Sequence, residues 1–411
     1  MEIWNSDMTK AHMLRNQLRA MSTIRRNVED EHLRRTKWWS NSRRLSSILC
    51  LTFAIAQISN AQKWTKLSPT GTGPDARTDS SAVYDAGSNK LIVFGGNDTG
   101  CTFSESLNDT WFLFNADGLG GTPRWLKVSP VGTLPPGRRA QTAVYDANTD
   151  RMIVFGGDPV GCAVDKYNDT WLLEDATGAH GTPTWVQLSP AGGLPPARSD
   201  HTAVYDPVNN RMIIAGGFGP DGNLNDVWVL THANGLGGEP AWIQITSSGE
   251  PPSATGLRAA TYDPASNRMT VFGGWNCCSV PGSNGTWVLT HANGLGGSSQ
   301  WFELSPSGTP PSPRFGSQAV YNAISNKMIV FGGDTTSGLV NEAWALSNAN
   351  GLNGTPTWSE LHPTGNLPPP RGGSVADPAV AYDAGFASMV IFGGGTPSGL
   401  VNDVWVLSGL P

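Results

Sequence analysis

The stretch Arg211-Met-Ile-Ile-Ala-Gly-Gly217, followed by Asn225-Asp-Val-Trp-Val-Leu230, returns six times along the chain in one register. Its double glycine stands at Gly95-Gly96, Gly156-Gly157, Gly216-Gly217, Gly273-Gly274, Gly332-Gly333 and Gly393-Gly394. A Trp-centred strand follows each, at Trp111, Trp171, Trp228, Trp287, Trp344 and Trp405. A period of about sixty residues is too long for a helical hairpin repeat, and each copy holds four short apolar runs, the pattern of a propeller blade.

Some spacings inside the repeat never change. From Tyr84, Tyr145, Tyr205, Tyr262, Tyr321 and Tyr382 to the first glycine is always 11 residues, and from the third-strand Trp to Trp125, Trp185, Trp242, Trp301 or Trp358 is always 14. Constant spacing implies hairpins of constant register, because a one-residue slip would turn a buried face outward. Turn formers fill the gaps: Asp206-Pro-Val-Asn-Asn210 between strands one and two, Ala233-Asn-Gly-Leu-Gly-Gly238 between strands three and four. Other distances vary. Second glycine to Trp runs 15, 14, 11, 13, 11 and 11, and the link from the fourth-strand Trp to the next Tyr is 20 except for 24 after Trp358. In a four-stranded meander the two-to-three loop and the four-to-one link leave by the same face. The variation therefore falls on one face, where loops on a rigid scaffold usually carry binding. The segment Trp64-Thr-Lys-Leu67 copies the fourth-strand motif, whereas Val404-Trp-Val-Leu407 copies the third. The N-terminal segment is thus expected to complete the last blade and close the ring.

Fifty Gly and thirty Pro in 411 residues fit an all-β, turn-rich fold. A closed ring lets one domain reach this length. The expected organisation is a signal peptide and unstructured basic N-terminal region over 1–61, then one six-bladed propeller over 62–411. Residues 1–61 lack the repeat; Arg43-Arg44, the apolar run Ile48 to Ile58 and Ser59-Asn60-Ala61 form a secretory pattern. The run is short for a membrane span, so an uncleaved anchor is the weaker alternative, and Met21 is an alternative start. Cys50 lies inside the run, not after it, unlike a lipid-modified cysteine. Removing the ten basic and five acidic residues of 1–61 from totals of 27 and 33 leaves a net charge of −11. Such a surface argues against nucleic acid and for a soluble extracytoplasmic protein, secreted or periplasmic.

Arg198-Ser-Asp-His-Thr-Ala-Val-Tyr-Asp206, Arg211-Met-Ile-Ile-Ala-Gly-Gly217, Asn225-Asp-Val-Trp-Val-Leu230 and Trp242 together resemble kelch repeats, over residues 64–407. The resemblance implies the propeller and leaves the chemistry open. Similar propellers recruit substrates, serve as accessory domains, or act as copper-radical oxidases of the galactose oxidase type or sialic acid epimerases.

Arginines end the Pro-rich links: Arg77, Arg138, Arg198, Arg258, Arg314 and Arg371. Four stand seven residues before the Tyr, Arg258 three closer and Arg371 four further. They are expected near the mouth of the channel on the variable face, where guanidinium forks suit carboxylates and phosphates; the resemblance adds that similar domains hold acidic ligands there. The competing reading, expected for most of them, is packing or hydrogen bonding against the neighbouring blade, with one or two reaching ligand. Cys101, Cys162, Cys277 and Cys278 all fall in the three longest two-to-three loops, and an even number in an exported protein suggests disulfides, with three pairings open. The expectation is Cys101 with Cys162, and Cys277 with Cys278 as a vicinal pair. His201 begins a first strand, where the other blades hold Ser80, Gln141, Arg258, Ser317 and Pro378, so no histidine ring exists to bind metal. His232 and His291 read as turn residues. Asp221-Gly-Asn-Leu-Asn-Asp226 partly matches a calcium loop but lacks its bidentate Glu. Asn108, Asn168 and Asn284 begin glycosylation sequons.

The resulting expectation is an exported, monomeric binding module that takes a protein segment or a glycan on its variable face, Trp275 offering a stacking surface. No cofactor, metal, catalytic set or lasting membrane insertion is expected. The alternative is an enzyme on the same fold, a sugar epimerase or a copper-radical oxidase.

Overall fold

The computed structural model describes residues 61–99, 106–160, 165–253, 255–256, 258–275, 282–373 and 377–411. Six four-stranded antiparallel sheets form the blades. Their first strands, Ser81–Asp85, Thr142–Asp146, Thr202–Asp206, Ala259–Asp263, Gln318–Asn322 and Ala379–Asp383, lie against one another in a ring at the centre. In every blade the second strand is buried along nearly its whole length, as in Arg151–Phe155 and Ser388–Phe392. Both of its faces meet a neighbouring blade, which is why it reads as the unbroken run Met-Ile-Val-Phe. The outer strands, such as Arg124–Val128, bury chiefly the Trp, with exposed residues on either side of it.

The core consists of six clusters, each shared by two adjacent blades. At their centres a fourth-strand Trp meets a second-strand Phe of the preceding blade: Trp185 with Phe94 at 4.7 Å, Trp242 with Phe155 at 4.8 Å, Trp358 with Phe272 at 5.0 Å and Trp125 with Phe392 at 5.1 Å. Blade three carries Ala215 where the others carry Phe, and Trp301 packs in that cluster without an aromatic partner from that position.

The ring closes as expected. Lys63–Lys66 pairs antiparallel with Val404–Ser408, and Trp64, 2% exposed, sits against Phe331 at 5.1 Å. A second device runs around the rim. The link leaving each blade adds a parallel bridge to the next outer strand: Thr70 to Arg124, Val131 to Thr184, Ala191 to Ala241, Ser248 to Gln300, Ser307 to Thr357, and Thr364 to Lys63. The last of these joins the final link to the N-terminal strand.

Turns on the face opposite the variable loops explain several repeat residues. Asn115, Asp175, His232, His291 and Asn348 adopt positive φ between 47° and 52° where strand three turns toward strand four. The Tyr of each first strand reaches the same region: the hydroxyls of Tyr84, Tyr145, Tyr205, Tyr262 and Tyr321 donate to Asn89, Asp150, Asn210, Asn267 and Asn326. Those side chains in turn accept the backbone N–H of Asp117, Thr177, Asn234, Asn293 and Asn350, locking the two turns of a blade together. Among the described residues no helix is long and apolar enough to cross a membrane.

Candidate functional site

The arginines are not a ring of free guanidinium groups. Arg77, Arg138, Arg198, Arg314 and Arg371 are at most 1% exposed, and each is held within its own blade. Arg198 donates through Nη1 to the Gly216 carbonyl at 2.9 Å and forks onto Asp226 at 2.7 and 2.8 Å, while Nε reaches the Pro196 carbonyl. Arg77, Arg138 and Arg371 repeat this bidentate pattern on Asp109, Asp169 and Asp403, and Arg314 bonds Glu342. The acid also accepts the indole N–H two residues on, as Asp226 does from Trp228 at 2.7 Å. Burial pushes the carboxyls of Asp109, Asp226, Glu342 and Asp403 up, but hydrogen bonds and charge from the paired arginine outweigh it and hold them below the ordinary range. With its donors consumed, this set pins the four-to-one link to the start of strand three. The partial calcium match at Asp226 has the same explanation.

Blade four departs at both ends of this clamp together. Thr255 takes the arginine's backbone position, its carbonyl accepting from Gly217 as Arg198 accepts from Gly157 and Arg314 from Gly274. Gly285 stands where the acid should be. Arg258 instead shares the strand-leading position of Ser80, Gln141, His201, Ser317 and Pro378, and it alone of the six arginines lines the central cavity. Its guanidinium donates to the Ser253 carbonyl, and burial lowers its pKa to about 10. No carboxylate forms an ion pair with it among the described residues.

That cavity, about 210 Å³, opens at the variable face and is lined by the leading ends of all six first strands. A backbone collar narrows part of its rim. The N–H of Asp79 donates to the Asp377 carbonyl at 2.9 Å, that of Ala140 to Asp79 at 2.9 Å, and that of Asp200 to Ala140 at 3.0 Å. Asp79, Ala140, Asp200 and Gly316 all hold φ between 52° and 63°, the left-handed conformation that turns the chain from link to strand.

Charge converges on this collar. Arg139 bonds Asp79 at 2.7 Å and Asp158 at 2.9 Å, all three deeply buried. Lys166 stands 3.9 Å from Asp158. Asp200 finds the Ser199 hydroxyl at 2.9 Å, and Asp377 the Gln318 amide at 3.3 Å. Burial, reinforced by Asp79 and Asp158 against the opposing pull of Arg139, pushes Asp200 up to about 7. Burial with Asp79 and Asp200 nearby also raises Asp377, and burial raises Asp79 despite Arg139. His201, 5% exposed, is kept neutral by burial and by Arg198. Its Nε2 lies 2.7 Å from the Thr142 hydroxyl, and its Nδ1 has no hydrogen-bond partner among the described residues.

Trp275 lies beside the mouth, stacked on Phe315 at 5.2 Å and edge-on to Phe218 at 6.0 Å. One of its faces is thus already occupied. Cys101, Cys162, Cys277 and Cys278 lie outside the described residues, as do the pairings expected of them. On the opposite face Asp150, Asp175 and His180 bring ligand atoms within 4.8 Å of one another, yet Asp150 already accepts from Tyr145 and twice from Thr177, as a turn lock.

The structure is a closed six-bladed propeller with a polar, acid-rimmed mouth. The sequence matches the KLHDC2/KLHL20/DRC7 Kelch-repeats domain family over residues 47–179, 104–294 and 265–409. The chain belongs to the kelch-repeat family. It is 27% identical over 328 residues to putative adagio-like protein 2 of Oryza sativa subsp. japonica, covering 76% of this chain and 46% of that protein. It is 29% identical over 261 residues to host cell factor 1 of Rattus norvegicus, covering 59% of this chain and 11% of that protein. The chain thus spans about half or less of these relatives. The solved structure of YjhT superposes with a TM-score of 0.55 at 15% identity, covering 83% of this chain and 97% of that one, a likeness of fold alone.

Proposed function

We propose that this chain is an exported protein-interaction module that recognises a segment of a partner protein at the variable face, over the central cavity. One observation carries the reading: on a scaffold copied blade by blade, the position that leads each first strand holds Ser80, Gln141, His201, Arg258, Ser317 and Pro378, five residue types in six blades, and all but Ser317 line the cavity. A position serving only the ring would be repeated as the clamp arginines are. The exposed Leu134, Leu194 and Leu367 of three four-to-one links add apolar surface on the variable face. The kelch-repeat family supports an interaction role; export rests on the pattern of residues 1–61. Selection of a random peptide library on the full chain tests the reading. Binding should be lost with Leu194→Asp or Arg258→Glu on the variable face and kept with Val208→Asp or Leu236→Asp on the opposite face. Peptides lost only with the opposite-face variants would overturn it.

A further inference from the structure

We propose that the partner segment places a lysine or arginine side chain in the cavity, on the carboxyl groups of Asp200 and Asp377. This rests on the reading above and names the chemistry of the partner. The first ground is the charge census. Asp79, Asp200, Asp377 and Arg258 line the cavity, and Arg139, Asp158 and Lys166 form an ion-pair cluster with Asp79. Arg139 is shared between Asp79 and Asp158, and Lys166 stands beside Asp158. Arg258 is turned to the Ser253 carbonyl. Among the described residues Asp200 and Asp377 have only neutral direct partners, the Ser199 hydroxyl for the first and the Gln318 amide and Gly373 backbone N–H for the second.

The second ground is independent of charge. Gln141 and His201, 6% and 5% exposed, line the same cavity, and Gln141 Oε1 and His201 Nδ1 have no hydrogen-bond partner among the described residues. Gln141 Oε1 is an acceptor, and His201 Nδ1 is one in the tautomer whose Nε2–H donates to the Thr142 hydroxyl. The cavity wall thus presents unpaired acceptors beside two carboxyls that have no ion-pair partner among the described residues. A guanidinium or ammonium group supplies both. A partner carboxylate would bring neither and would meet two more carboxyls.

The test uses peptides selected on the full chain. Each basic residue is replaced in turn by a neutral isostere, citrulline for Arg or norleucine for Lys, and affinities are compared on wild type, Asp200→Asn, Asp377→Asn and Arg258→Gln. The inference expects one basic residue whose neutral replacement weakens binding tenfold or more, a similar loss with Asp200→Asn or Asp377→Asn, and weaker binding at pH 6 than at pH 8 as the carboxyls take up protons. Peptides held through an acidic residue, lost with Arg258→Gln and indifferent to both Asn variants, would overturn the basic side chain while leaving the mouth as the binding face. Peptides indifferent to every mouth variant would overturn both.

Discussion

At the scale of single residues, the arginine and its acid form one unit, and their joint absence from blade four shows it. Asp226→Gly alone strands a fully buried guanidinium and should cost about 3–5 kcal/mol in urea unfolding. The double variant Arg198→Thr with Asp226→Gly copies what blade four carries at Thr255 and Gly285, and should recover part of that loss; a strictly additive double variant would contradict the coupling. The second residue-level requirement is the double glycine. Gly332 holds φ 69°, and a Cβ there would stand 2.6 Å from the Arg371 carbonyl. Gly332→Ala should therefore cost about 2 kcal/mol or more by the same measurement, strain and clash together. The recurrence of the arginines is legible in the sequence, and their acid partner leaves a mark there too. The signal was present: an acid lies two residues before every third-strand Trp except Trp287, the blade in which the arginine is displaced.

At the scale of elements, strand order, turn positions and ring closure follow from spacing, because a constant interval between a Tyr and a glycine pair admits only one hairpin register. Trp64 turns the closure into a measurable quantity. Buried against Phe331 in the joint between blades five and six, it should cost about 3–5 kcal/mol when replaced by Ala, and a chain lacking 1–67 should lose cooperative thermal melting. Unchanged melting would contradict a structural role for that strand. The rim bridges and the collar at Asp79, Ala140 and Asp200 were not legible. They are backbone hydrogen bonds between consecutive blades, and backbone groups leave no mark in the residue pattern. The same limit hid the cavity, whose character depends on which side chains six separate strands bring to one point.

At the scale of the whole molecule, clamp and collar oppose each other in their response to pH. The clamp carboxyls Asp109, Asp226, Glu342 and Asp403 sit below their unfolded pKa values, so their stabilisation is present above those values and fades as acid protonates them. Asp200 is raised to about 7, so the folded state holds its proton more tightly than the unfolded chain, and stability falls between about pH 4 and pH 7 as that proton is lost. Asp200→Asn should melt a few degrees higher than wild type at pH 8, with a smaller gain at pH 5; no gain at pH 8 would contradict the strain assigned to the collar. Such a cost at the mouth, on a ring whose clamp arginines are satisfied, supports the recognition role proposed for it. Hydrogen–deuterium exchange of the full chain with a selected peptide tests that claim most directly. The account predicts slowed exchange at the amides of Asp79, Ala140 and Asp200; protection confined to the opposite-face turns around Asn234 and Asn293 would contradict it.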